Sequence, residues 1–365
     1  MTAGTTGRTF LVATLWTGHR LHFVRLLAER SLEQGSPVTI LLPHVVRESR
    51  EFAVYLHDLD EVSFVWLDGT SPFKAVKATL GSASSDDRAI LPDGDVMLRA
   101  LGKWLAVHRP RGKVTVLLTH VPYPGVTRGA IANARLGAKS GLIQAIRARG
   151  VSVRQLTDST GIGQPHRLYR GLPQVPDPVP PLPLPPVDEA RARVGIARDR
   201  FVVASLGVQR ADKNPVSLIE AWKRSPVHRR AGVKPLLVLA GHQPDGVRAD
   251  INERAAGDES ILLHDDFLPS EMLGAYAAAA DVIALVVRGH SMSSMLSLAI
   301  RARKPVLVAG NPRLCHLVRT LGLGVDCATD ISSIAQGLDE IWALDPIEAW
   351  PDVATPADFA EAMLE

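Results

Sequence analysis

The chain is poor in cysteine: its 365 residues include only Cys315 and Cys327. Two cysteines make no disulfide framework, and their separation has no CxxC metal spacing, so both are read as packing residues. It also lacks any apolar run approaching the roughly 20 residues that a bilayer-crossing helix needs. The opening stretch MTAGTTGRTFLVATLW has no long apolar segment followed by a small-residue cleavage site. A cytoplasmic protein is therefore expected, with any membrane contact at its surface. A third shortage is local. Between Val96 and Arg170 there is one acid, Asp158, against 13 Lys and Arg. Aromatic residues are only 5% of the chain and do not interleave with these basic ones, which argues against a nucleic-acid partner.

Two readings of the basic excess stand: an ordinary solvated face, or a surface for an anionic partner, either a membrane leaflet or a phosphorylated acceptor. The asymmetry runs through the whole chain. Residues 1–186 hold 22 Lys and Arg against 14 Asp and Glu, and residues 187–365 hold 19 against 24.

What is present is a globular α/β pattern. With 46% hydrophobic and 22% charged residues the chain can bury a large core, and its length suggests two domains. Short, continuous apolar runs alternate with helical periodicity, as parallel strands covered on both faces require. Thr9 to Trp16 and Val38 to Pro43 are strands flanking a helix that Gly35 ends. Further strands are expected at Ser63–Leu67, Val114–Thr119 and Val151–Leu156, with helices near Ala75 and Leu101 and from about Gly129 to Arg149. The proline-rich segment Asp177 to Asp188 forbids both helix and central strand and reads as a semi-rigid linker. Beyond it a second alternation gives strands Phe201–Leu206, Leu236–Ala240, Ile261–His264, Val282–Val287 and Val306–Ala309, with helices Val216–Trp222 and Glu271–Ala279. The expected architecture is α/β, two Rossmann-like doubly wound domains facing a cleft, with ligands at the carboxyl ends of the strands.

Two stretches of the second half could carry chemistry. From Met292 a helical stripe begins after Gly289-His290-Ser291, with Ser291 placed as cap. A serine-rich helix start at a strand's carboxyl end favours an anion, although most such turns are capped by Ser and bind nothing. The loop Gly207 to Pro215 presents Arg210 and Lys213 at the same edge. They are either a diphosphate clamp or two solvated cations. Asp93-Gly94-Asp95 has the look of a DxD metal site but precedes a helix, where capping is the simpler role. His264-Asp265-Asp266 lacks further ligands.

Gly207…Lys213-Asn214…Leu218-Ile219-Glu220-Ala221-Trp222, Leu237-Val238-Leu239-Ala240-Gly241, Tyr276-Ala277…Ala280-Asp281-Val282 and Lys304-Pro305-Val306 resemble the nucleotide-sugar half of a GT-B glycosyltransferase, specifically the retaining family four. In the first half, Gly18 with the following helix to Gln34, and Leu118-Thr119-His120-Val121-Pro122, are similar to that family's first glycine loop and its strand ending in histidine. The resemblance implies residues 1–176 as an acceptor-side domain, 177–188 as linker, 189–345 as a nucleotide-sugar-binding domain, and 346–365 as a segment returning to the first domain. It implies sugar transfer with retention from a nucleoside-diphosphate donor to a hydroxyl acceptor, with no cofactor and no metal. Gly18, Arg210, Lys213, Ser291, Met292 and Ser293 would hold the donor diphosphate, and His19 and His22 would lie on the acceptor side. The catalytic candidates are His120, otherwise an ordinary strand-end histidine, and His290. Two glutamates usual in the family fall at His290 and Leu298 here, and its usual arginine at Val208. The departures leave open a non-catalytic binding protein. A nucleotide-sugar epimerase is a further alternative, but it would need an acid/base carboxylate pair that the sequence does not show.

Overall fold

The structure, a computed structural model, describes residues 7–16, 20–120, 129–161, 167–179, 182–230, 232, 234–289 and 293–365. The chain divides into two compact units. The division runs between Pro178 and Val179, with a short excursion after Thr157 into the second unit and a return to the first at Pro356.

The first unit alternates strand and helix: β1 (Thr9–Val12), α1 (Arg20–Glu33), β2 (Val38–Pro43), α2 (Arg50–Tyr55), β3 (Val62–Leu67), α3 (Pro72–Ser82), β4 (Arg88–Leu91), α4 (Gly94–Val107), β5 (Lys113–Leu118), α5 (Ala130–Arg147), β6 (Ser152–Thr157) and β7 (Gln174–Pro176). Its seven strands are all parallel in the order β3-β2-β1-β4-β5-β6-β7. β1 is shorter than its apolar run predicts. Ala13 still donates to Leu41 O, but by Thr14 the chain has left the ladder, and the Thr14 hydroxyl lies 3.9 Å from Met97 Sδ.

The second unit runs through α6 (Val187–Arg193), β8 (Arg200–Leu206), α7 (Pro215–Arg224), β9 (Lys234–Ala240), α8 (Asp245–Ala255), β10 (Ile261–His264), α9 (Ser270–Ala279), β11 (Val282–Val286), α10 (Ser294–Arg301), β12 (Val306–Ala309), α11 (Pro312–Leu321), β13 (Gly324–Cys327) and α12 (Ile331–Trp342). Six parallel strands lie in the order β10-β9-β8-β11-β12-β13. α6 begins at Val187, inside the segment expected to be linker, because Asp188 and Glu189 sit in a first turn that the helix dipole favours. α10 starts at Ser294, two residues later than its periodicity predicts, and places Ser293 in the cap position.

Each sheet carries apolar side chains on both faces, as central parallel strands must, so each unit has two half-cores. A closing helix, α13 (Pro356–Leu364), completes one half-core of the first unit. Phe359 is fully buried and stacks on Phe23 with ring centroids 4.7 Å apart, while Glu361 pairs with Arg30 at 2.8 Å. Burying a phenylalanine this way contributes about 1.5–3 kcal/mol. Among the described residues no helix is long and apolar enough to cross a membrane.

Candidate functional site

Two glycines determine what lies at the carboxyl ends of the strands. In the first unit, a Cβ on Gly94 would meet Val116 Cγ1 at 2.3 Å and Leu117 O at 2.6 Å, so α4 can start in direct contact with β5 only if residue 94 has no side chain. That close approach brings Asp95 to the end of β5. Its Oδ2 accepts from Thr119 N at 2.7 Å, Thr119 Oγ1 at 3.1 Å and His120 N at 2.8 Å, and its Oδ1 takes a 2.5 Å bond from Lys139 Nζ on α5. The His120 ring stands with Nδ1 3.6 Å from the same carboxylate and 3.1 Å from Thr119 Oγ1.

These contacts set the charges. Burial alone would raise the Asp95 pKa, but interaction with His120 and the Lys139 ammonium outweighs it and holds the carboxyl far below the usual range. The His120 pKa is raised chiefly by Asp95, against a smaller opposing effect of burial. Asp93 behaves oppositely. Buried at 1% exposure, with Arg20 Nε 3.5 Å away and no hydrogen bond to either carboxylate oxygen among the described residues, it has a raised pKa because burial disfavours its charge. Of the Asp93-Gly94-Asp95 run, Asp93 occupies the helix cap position yet makes no side-chain cap bond, so the expected capping role is not what its side chain performs. Asp95 acts instead as a tie between α4, β5 and α5.

In the second unit the determining glycine is Gly241. A Cβ there would lie 2.3 Å from Gly207 O, so the turns after β8 and β9 touch backbone to backbone. Gly207 itself has φ +80°, open to glycine at no steric cost. Gln209, fully buried, holds this turn by donating to Ser205 O at 3.0 Å and Gly207 O at 2.8 Å. The loop then folds back so that Lys213 Nζ donates to Leu206 O at 3.1 Å, its one hydrogen bond among the described residues. Burial first, and the neighbouring Arg210 charge second, lower the Lys213 pKa to about 8. Asp212 O accepts from Arg288 N at 2.7 Å, which ties this loop to the chain leaving β11.

The candidate residues are thus distributed between the units. Arg210, Lys213 and Ser293 belong to the second unit, and the Asp212–Arg288 bond brings the Arg210–Lys213 loop against the segment between β11 and α10. Ser293 has an extended backbone and makes no side-chain cap bond. Arg210 is not free to act alone: its guanidinium holds Asp212 in two 3.0 Å bonds on an exposed face. Leu298, where the sequence resemblance would put a glutamate, is buried in the core of the unit. His120 and His22 belong to the first unit. His22 is buried on α1 with its ring 5.8 Å from Tyr55. Gly18, His19, His290, Ser291 and Met292 lie outside the described residues. His264 bonds the Tyr276 hydroxyl at 2.7 Å, and Asp265 accepts from Gln243 N at 2.7 Å. Among the described residues no three His, Cys, Asp or Glu side chains are grouped so as to hold a metal ion.

Sequence reasoning missed Lys139 and the role of Asp95. The pair is 44 residues apart, and nothing local marks a lysine in mid-helix as a carboxylate partner. It also missed Gln209 and Gln243, two carboxamides with no exposure, the second having no side-chain hydrogen bond among the described residues.

Two seven- and six-stranded parallel sheets with these topologies match solved structures along nearly their whole length. Sucrose-phosphate synthase from Thermosynechococcus elongatus superposes with a TM-score of 0.65 at 14% identity, covering 98% of this chain and 94% of that one. HepE from Anabaena, solved in complex with UDP and glucose, gives 0.63 at 12% identity over 98% and 94%. WaaG, a glycosyltransferase involved in lipopolysaccharide biosynthesis, gives 0.61 at 13% identity over 98% and 93%. The fold is GT-B. At these identities the likeness establishes the fold and leaves the chemistry to the residues. No protein-family model matches the GT-B chain, and no curated protein matches it.

Proposed function

We propose that the protein is a glycosyltransferase that moves a sugar from a nucleoside-diphosphate donor to a hydroxyl acceptor, with retention. The observation that carries this reading is Lys213, an ammonium held at the carboxyl edge of a parallel sheet with a single carbonyl for company and a pKa lowered to about 8. A half-buried cation with one carbonyl partner, its charge already disfavoured by partial burial, is better compensated when an anion completes its surroundings. A diphosphate does so. In glycosyl transfer, negative charge builds on the diphosphate as its bond to the sugar breaks, and a cation already in place stabilises that change without having to reorganise.

In the second unit, Lys213 is assigned to the diphosphate, with Arg210 and the N–H groups of the first turn of α10 assisting. The chain's own cations thus supply the charge, and no metal is assigned to the reaction. In the first unit His120 is assigned to a hydroxyl of the transferred sugar. Asp95 raises its pKa and so favours the protonated ring, the form in which both ring nitrogens donate hydrogen bonds. Proposals for the nucleotide begin with uridine diphosphate, because HepE is solved with UDP and glucose. The sugar and the acceptor follow from loops whose chemistry has no fixed pattern.

Calorimetric titration with a panel of nucleoside diphosphates tests the reading. At least one should bind. Lys213→Met should weaken it by about tenfold to a hundredfold, the worth of a hydrogen bond to a charged group, and Arg210→Ala by only a few-fold, since that side chain is exposed and already engaged. If no nucleotide binds the folded protein, the glycosyltransferase assignment fails. If nucleotide binds but no donor sugar is ever consumed, the non-catalytic alternative replaces it.

A further inference from the structure

We propose that the outward face of α3 and α4 in the first unit docks on an anionic lipid membrane, a property separate from the transfer reaction. A cavity of about 360 Å³ opens on this face, lined among others by Phe73, Val96, Ala100, Arg99 and Lys103. Phe73 is 42% exposed and Val96 39%, and Phe73 is the one aromatic among the exposed large hydrophobic residues described. Both sit in the first turn of their helices. The cations follow behind them. On α4, Val96, Arg99 and Lys103 are spaced by three and four residues and share a stripe, and on α3 Phe73 and Lys77 are four apart, with Lys74 beside them.

All four cations are exposed, and none forms an ion pair among the described residues. The acids nearest in sequence do not neutralise them. Asp95 is engaged by Lys139 and the end of β5, Asp93 is buried against Arg20, and Asp68 lies in the turn before α3. The opposite stripes, Ala75, Val76 and Leu80 on α3 and Met97, Leu98 and Leu101 on α4, are buried, so the outward stripe is not core-facing.

The chemistry selects a lipid surface. A stable protein partner would need about 800 Å² on each side with an apolar centre, far more than one phenylalanine and one valine offer. Peripheral membrane contact needs only a small apolar wedge at the headgroup boundary and cations at the level of the phosphates. The face supplies that pattern: an apolar tip formed by two helix starts, backed by a cationic belt.

Sedimentation of the full chain with phosphatidylcholine vesicles, pure or mixed equally with phosphatidylglycerol, tests the proposal. The protein should partition to the mixed vesicles, and added salt should weaken the binding. Arg99→Ala with Lys103→Ala should lower the partition coefficient about 25-fold, at about fivefold for each cation removed. Phe73→Ser should remove the fraction that survives high salt. Arg224→Ala with Lys234→Ala, an equal loss of charge on the second unit, should leave partition unchanged, and thermal melts should show all variants folded. Failure to bind either vesicle, equal partition to both, or equal weakening by the control pair would overturn the proposal. So would an acidic polypeptide that binds this face in preference to the vesicles.

Discussion

The two units share a plan, a parallel sheet covered by helices, yet they place opposite charges at their strand ends and treat them differently. In the first, Asp95 is wrapped by Thr119, His120 and Lys139, so a buried charge is fully met by partners. In the second, Lys213 finds a single carbonyl. A satisfied charge holds elements together. An unsatisfied one raises the energy of the empty protein and lowers it again when an anion arrives, the usual exchange of stability for function at a binding site. The contrast in hydrogen bonding is what sets Asp95 apart as a tie between elements and makes Lys213 the residue proposed for an anion.

The comparison can be broken most severely at Asp95. Asp95→Ala leaves the Lys139 ammonium and the Thr119 and His120 amides without their acceptor, and should destabilise the protein by about 3–5 kcal/mol, read by chemical denaturation. Lys213→Met is the counterpart. It should leave stability unchanged or raise it while nucleotide affinity falls; a loss of stability comparable to that of Asp95→Ala would show that the two charges are alike after all. The finest test is pH. The Lys213 pKa is lowered to about 8 from 10.5, so the unfolded chain holds that proton more tightly than the folded one. Its contribution to stability should therefore rise with pH between about 8 and 10.5. Nucleoside-diphosphate affinity should fall over the same interval as the charge is lost. Lys213→Met should flatten both profiles. The carboxylate has the opposite sign: stability from Asp95 is present above its unfolded pKa near 3.8 and is lost as pH falls below it.

Much of the fold was legible because central parallel strands must be apolar on both faces. Ile261–His264 and Val306–Ala309 run over the same residues as β10 and β12. The strands that escaped notice are short or half-exposed. β4 and β13 have four residues, β7 has three, and β13 has no fully buried position to leave a signal in sequence. The expected start of α10 was two residues early because, in sequence, Met292 has helical spacing to Met295 and Leu296. At the site, Lys213 could be singled out because a glycine turn announces the loop. The partnering of Arg210 by Asp212, two residues away, was equally close at hand but carries no pattern that distinguishes a held arginine from a free one. The Asp95–Lys139 tie is a product of tertiary packing through Gly94, and no local spacing encodes it.

α13 gives the first unit an unusual order of assembly. Phe359 fills a half-core begun at β1, and Arg30 waits for a partner 331 residues further along. During synthesis the whole second unit emerges before that gap can be closed. The unit made first is therefore finished last, and its incomplete apolar face stays open to chaperones and proteases for most of translation.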